Sequence, residues 1–156
     1  MPILSKLREF LDRSNVPYEM LSHAEAFTAQ QVAEAQHVPG KDLAKVVMAC
    51  SGSEFMMFVL PAPYRLDLER VRGMLGKADL RLATEQEFAG LFPQCQPGAM
   101  PPFGNLYGLA VWVDEALAKD EKIVFNAGTH TDTVRLRYAD FARLVQPGVA
   151  RLAEQD

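Results

Sequence analysis

Two apolar segments, Leu43–Cys50 and Glu54–Leu60, flank Ser51-Gly52-Ser53, and this pairing constrains the chain more than any other feature. Both segments are rich in Val, Met and Phe and meet at a glycine-bearing turn, a pattern that predicts a β-hairpin. Because they are apolar at nearly every position, the two strands are expected to lie at the centre of a sheet and to be largely buried. The chain has 156 residues, 49% of them hydrophobic, enough for one sizeable core and little for a second. A single domain over residues 1–156 is therefore expected.

The flanking sequence alternates helical and extended patterns. Leu4, Leu7, Phe10 and Leu11 recur at helical spacing until Ser14-Asn15 and Pro17. A short strand is expected at Tyr18–Leu21, then a loop from His23 to Phe27. Thr28-Ala29-Gln30-Gln31 has the pattern of a capping box and opens a helix to about Gln36. Asp67 precedes Leu68, Val71 and Leu75, with Gly76 as a helix stop. A short strand at Asp79–Ala83 leads to a second capping box, Thr84-Glu85-Gln86-Glu87, whose helix ends before Pro93. Leu106–Val113 and Lys122–Asn126 read as strands, Asp132–Arg137 as a half-exposed strand, and a last helix begins near Asp140. No regular βαβ rhythm is present. The fold class expected is α+β, with a mixed, strongly curved sheet surrounded by helices.

The formal charge of −4 opposes tight autonomous binding to long nucleic acid, so DNA is not an expected partner. Cys50 and Cys95 are the only cysteines, Met1–Phe10 lacks a signal-peptide core, and no apolar run spans a bilayer. A cytoplasmic protein with reduced thiols and no membrane partner is expected. Cys50 falls in an apolar strand. Cys95 has no cysteine or histidine at metal-ligand spacing, so neither a metal site nor a cofactor is expected.

The segment Gly98-Ala99-Met100-Pro101-Pro102-Phe103-Gly104 suits chemistry through its backbone, because its glycines permit positive φ and its prolines fix φ and remove N–H groups. The amides of Gly98, Ala99 and Met100 are free to converge on an oxyanion, a carbonyl oxygen or a water. The same residues also suit a rigid connector. Lys45 interrupts the apolar run Leu43–Met48 and reads either as a pocket-floor cation or as a lysine that snorkels outward at the strand's start. His23 and Thr28 flank the entry to the second helix, where amides suit an anion, although Thr28 equally serves as a cap. Gly128 and His130 belong to a polar turn, Asn126 to Asp132, in which His130 is a candidate donor or base. No nucleophile elbow, GxxxxGK[ST] loop or HExxH motif is present.

Taken in order, these features resemble the YbaK/prolyl-tRNA synthetase-associated family of aminoacyl-tRNA editing proteins. The matching features are the His23–Thr28 segment, Lys45, Leu66-Asp67-Leu68, the Gly98-x-x-x-Pro102 loop with Phe103-Gly104, Val113-Asp114-Glu115, and Gly128 leading to Asp140-Phe141. The resemblance implies a freestanding, metal-independent trans-editing deacylase acting on the acceptor end of mischarged aminoacyl-tRNA. It assigns Lys45 to the phosphate or ribose of the terminal adenosine. It assigns Gly98, Ala99, Met100, Pro101 and Pro102 to the positioning of ester and water, with His23, Thr28, Phe103, Gly128 and His130 around the substrate. A synthetase or elongation factor would supply the remaining grip on tRNA. A noncatalytic module that senses a tRNA end, a free amino acid or a nucleotide is the alternative. Val46 stands where many relatives carry threonine, and Thr133, beside Asp132, where the cysteinyl branch carries aspartate, which weakens the case for cysteine as the edited amino acid.

Overall fold

The hairpin organises the whole sheet. In a computed structural model that describes residues 5–22, 43–92, 95, 99–129 and 132–154, β2 (Leu43–Ser51) and β3 (Glu54–Pro61) pair antiparallel from Ala44↔Pro61 to Ser51↔Glu54. Gly52 closes the turn at φ +60°, which glycine adopts without strain. Outward from this pair run β7 (Lys122–Asn126), β8 (Asp132–Arg137) and β1 (Glu19–Ser22) on one side. On the other side lie β6 (Ala110–Asp114) and β9 (Gly148–Ala150), giving the order β1-β8-β7-β2-β3-β6-β9. The β2–β7, β3–β6 and β6–β9 pairs are parallel and the rest of this path antiparallel, so the sheet is mixed, as expected. A short β5 (Arg81–Leu82) also pairs with β2, and β4 (Arg65–Leu66) pairs with β10 (Ala153–Glu154) in a separate ribbon.

Alternation along the strands divides the side chains between two cores. Ala44, Met48, Met57, Val59, Val111, Val113, Ile123, Phe125, Val134 and Leu136 share the larger core with Leu7 and Leu11 of α1 (Ser5–Arg13) and Phe141 of α5 (Tyr138–Val145). Ala49, Met56, Phe58 and Leu60 face the smaller one with Val71 of α2 (Leu68–Leu75). As read from sequence, Asp67 caps α2 by accepting from Arg70 N, and Gly76 ends it in the left-handed conformation. The Thr84–Glu87 capping box is also present. It opens only the single turn α3 (Glu85–Phe88), followed by a 3-10 turn at Ala89–Leu91. The expected helix from Thr28 lies outside the described residues.

Two expectations need correction. Leu106 and Tyr107 belong to a 3-10 turn, Gly104–Tyr107, because Gly108 takes φ +70° and breaks the extended run; the strand begins at Ala110. β8 is mostly buried rather than half-exposed, because it is an interior strand between β1 and β7. The last helix, expected near Asp140, starts at Tyr138, with Asp140 in its first turn 3.1 Å from Arg137 and 3.6 Å from Arg143.

The C-terminal segment is tied to the sheet by one carboxylate. Asp114 is 2% exposed; its side chain caps α4 (Glu115–Ala118) by accepting from Ala116 N at 3.0 Å. Its other oxygen accepts from Leu152 N at 2.8 Å and Ala153 N at 3.0 Å. Asp114→Ala removes the cap and strands two buried donors, and we expect a loss of roughly 2–4 kcal/mol in urea unfolding. A loss below about 1 kcal/mol would show that water replaces the carboxylate.

Candidate active site

Ala99 is completely buried, and its carbonyl accepts a 2.9 Å hydrogen bond from the N–H of Gly128. The Gly/Pro loop and the turn after β7 are therefore joined through their backbones, although 29 positions separate them in the chain. Among the described residues no backbone carbonyl accepts from Ala99 N or Met100 N, and Pro101 and Pro102 have no N–H to give. Met100 packs in the larger core, and both prolines are buried. Phe103 anchors the loop from beneath. Its ring centroid lies 5.4 Å from those of Phe125 and Phe141 and 6.1 Å from that of Phe10, and such aromatic pairs add about 0.5–1.5 kcal/mol each beyond burial. The side chains thus hold the loop while its backbone faces the turn.

That turn is equally constrained. Gly128 is buried at φ +99°, a conformation that residues with a Cβ rarely adopt. Ala127 N donates to the Asp132 carbonyl at 3.1 Å, and the Thr129 hydroxyl donates to the Asp132 carboxylate at 2.6 Å. Neighbouring polar side chains are less well satisfied. Asn126 and Thr133 are a registered pair across the β7–β8 hairpin and so share one face. Their neighbours Phe125 and Val134 point into the larger core, which leaves Asn126 and Thr133 on the opposite face. Asn126 Oδ1 and Thr133 Oγ1 are both buried with no hydrogen-bond partner among the described residues.

Lys45 lies on that same face. Its neighbour Ala44 points into the larger core, while its cross-strand partner Leu60 belongs to the smaller one. The parallel β2–β7 ladder registers Leu43 with Val124 and Ala44 with Phe125, so the next step sets Lys45 level with Asn126. Lys45 is half-buried; desolvation, with repulsion from Arg65 as a lesser cause, pushes its ammonium below the ordinary lysine range. No carboxylate pairs with it among the described residues. Lys45, Asn126 and Thr133 thus form a row of a cation, an amide oxygen and a hydroxyl, each short of partners and next to the linked turns. Such groups are costly to leave unmet and favour a polar, anionic ligand.

His23, Thr28, Gly98 and His130 lie outside the described residues, as does His37. Burial pushes the Cys95 thiol up, an effect that its contact with the Tyr107 hydroxyl at 3.8 Å only partly offsets, so it is poorly suited to act as a thiolate nucleophile. Cys50 is buried in β2. Among the described residues no group of three or more His, Cys, Asp or Glu side chains could hold a metal ion, and no helix is long and apolar enough to cross a membrane.

Comparison with known proteins places the fold. The sequence profile of the aminoacyl-tRNA editing domain matches residues 23–144. The chain belongs to the aminoacyl-tRNA editing domain family. The multifunctional Ser/Thr-tRNA deacylase ProXp-y of Escherichia coli K12 is 26% identical over 147 residues, covering 91% of this chain and 87% of that protein. Among solved structures, a protein described as a trans-editing enzyme for prolyl-tRNA synthetase superposes with a TM-score of 0.82 at 24% identity, covering 96% of each chain. A hypothetical protein superposes with a TM-score of 0.87 at 19% identity, covering 96% of this chain and 100% of that one. These likenesses confirm the mixed sheet with helices as an editing-domain fold. The part of the editing domain matched by the family includes Lys45, the Gly/Pro loop, Asn126, Gly128 and Thr133.

From sequence, Asn126 marks only the start of a polar turn, and Thr133 only the position where the cysteinyl branch of the resembling family carries aspartate. Each carried a signal, a polar residue at a strand end beside a glycine turn, but their shared face depends on hairpin register. Their alignment with Lys45 depends on a parallel pairing between strands far apart in sequence.

Proposed function

We propose that this editing domain is a trans-acting deacylase that hydrolyses the ester of tRNA mischarged with a hydroxyl-bearing amino acid, serine or threonine. The observation that carries the reading is the row of Lys45, Asn126 and Thr133 beside the linked Ala99 and Gly128 backbones. An amide oxygen without a donor and a hydroxyl without an acceptor among the described residues complement a substrate hydroxyl, which both donates and accepts. A pocket built this way discriminates against a substrate without the hydroxyl, because the buried groups then stay unpaired. The Ser/Thr activity named for the E. coli relative supports the same choice.

Lys45 holds a phosphate or ribose oxygen of the terminal adenosine, and the anion restores the charge balance that burial denies the ammonium. Water attacks the ester carbonyl carbon. The carbonyl oxygen becomes an oxyanion, which the N–H groups of Ala99 and Met100, bonded to no backbone carbonyl among the described residues, are suited to stabilise. Collapse breaks the carbon–oxygen bond to the ribose, whose oxygen takes the proton lost by water, releasing free amino acid and tRNA. An aminoacyl ester is already activated, so positioning and electrostatics supply the catalysis without a side-chain nucleophile. No step uses a metal ion. The protein grips the acceptor end, with a synthetase or elongation factor as a further partner in the cell.

Deacylation of a panel of seryl-, threonyl-, alanyl-, cysteinyl- and prolyl-tRNA tests the reading. Seryl- and threonyl-tRNA are expected to turn over fastest, at a rate that a chelator leaves unchanged. Tight binding of tRNA with no turnover of any species would instead support a sensing module, and activity lost to chelation and restored by zinc would overturn the metal-free mechanism.

A further inference from the structure

We infer that a basic recess on the β1–β8–β7 rim seats backbone phosphates of the tRNA acceptor arm, extending the grip of the site beyond the reacting nucleotide. The inference rests on the deacylase reading. The recess has a volume of about 210 Å³ and is lined by Pro17, Tyr18, Glu19, Lys122, Arg135, Leu136 and Arg137. Three cations and one carboxylate therefore line it, in a chain whose net charge is −4. Excess positive charge gathered at one place on an acidic protein marks a site for a polyanion.

Strand register ties the recess to the site. Val124 pairs with Arg135, and Lys122 with Arg137, so all four side chains share the face of the Asn126–Thr133 pair. Arg137 follows Thr133 by four residues on β8, roughly 13 Å along an extended strand. A substrate whose amino-acid hydroxyl meets Thr133 thus has the nucleotides next to its ester within reach of Lys122 and Arg137. Local ion pairs limit how many cations are available. Arg135 is held by Glu19 at 2.6 Å and Arg137 by Asp140 at 3.1 Å, while Lys122 makes no ion pair among the described residues. Lys122 also acts on Glu19, whose carboxyl its charge helps to lower after the hydrogen bond from Arg135 has done most of that work. Arg135 and Arg137 are pre-oriented by their carboxylates, and Lys122 supplies the uncommitted charge.

RNA backbone is the occupant that charge complementarity and adjacency to the site favour over an acidic peptide. Lys122→Glu is the discriminating variant, since Lys122 is exposed at the start of β7 and its loss strands no buried partner. For seryl-tRNA we expect kcat/KM to fall about tenfold, chiefly through KM, and the slope of log kcat/KM against log salt to flatten by roughly one. Hydrolysis of seryl-adenosine, which has no acceptor arm, should be unchanged. Equal losses on both substrates, or none on either, would overturn the assignment. Binding of deacylated tRNA, followed by fluorescence anisotropy, separates this outcome from failure of the deacylase reading. If the unaltered protein hydrolyses neither ester, a Lys122→Glu variant that still weakens tRNA binding supports the recess, and one that binds equally well refutes it.

Discussion

Replacing Lys45 with methionine is expected to lower kcat/KM for deacylation by about 100-fold or more, with the protein at least as stable as before. The two effects separate because the ammonium serves the ligand at a cost to the fold. Lys45 is half-buried, with Leu60 opposite and Arg65 repelling it, and it has no carboxylate partner among the described residues. Methionine keeps the length and apolar stem and removes the charge. The pH dependence gives a second readout. Folding lowers the proton affinity of Lys45, so the unfolded chain binds more protons between the lowered folded value and the ordinary lysine value, and stability rises with pH across that window. Below the window the full penalty is present. The stability advantage of Lys45→Met should therefore be greatest at neutral pH and fade as pH climbs toward the ordinary lysine value. Urea unfolding at both ends, with single-turnover deacylation at neutral pH, measures both effects. A variant that unfolds, or that hydrolyses seryl-tRNA at the original rate, would remove Lys45 from the site.

Local chemistry made much of this fold legible. The hairpin around Gly52, the Asp67 and Gly76 caps of α2 and the Thr84–Glu87 box each depend on a few neighbouring residues, and each forms as its sequence dictates. The failures have a different origin. Leu106 and Tyr107 are apolar enough for a strand, but the chain must turn at Gly108 before it can enter β6, and hydropathy carries no sign of φ. β9 and β10 are brief strands defined by pairing with β6 and β4, so nothing within them announces the structure they join.

The site divides along the same line. Lys45 stands out in sequence because a cation in an apolar strand is anomalous wherever that strand goes, and the Gly/Pro loop because its composition restricts the backbone. Asn126 and Thr133 are ordinary residues at strand ends. Their importance comes from two registers, the antiparallel one that pairs them and the parallel one that brings Lys45 level with Asn126. The hydrogen bond between Ala99 and Gly128 is likewise a tertiary event. Sequence marked Lys45 and the Gly/Pro loop, and pairing between distant segments brought Asn126 and Thr133 level with Lys45.

Gly128→Ala is expected to reduce deacylation about 100-fold, beyond what its stability cost explains. At φ +99° an alanine is strained, and the cost to folding should be about 1–3 kcal/mol. If the turn relaxes to a more favourable φ, its N–H leaves the Ala99 carbonyl, now 2.9 Å away, and the loop loses the bond that fixes it against the β7–β8 hairpin. The Ala99 and Met100 amides then no longer point at a fixed place, and electrostatic catalysis depends on such preorganisation. Strain alone does not produce this loss, and Gly76→Ala provides the control. Gly76 has φ +66°, ends α2 and has open space where a Cβ would stand, so alanine there costs roughly 1–2 kcal/mol of the same kind of strain. Its place at the end of α2, with its N–H on the Arg72 carbonyl, makes no link to the Ala99–Gly128 bond. Both variants should be assayed where urea unfolding shows them fully folded. We expect Gly76→Ala to retain turnover and Gly128→Ala to lose it mainly in kcat. Matching losses would mean that Gly128 serves only the fold, and that the backbone link between loop and turn does not position the ester.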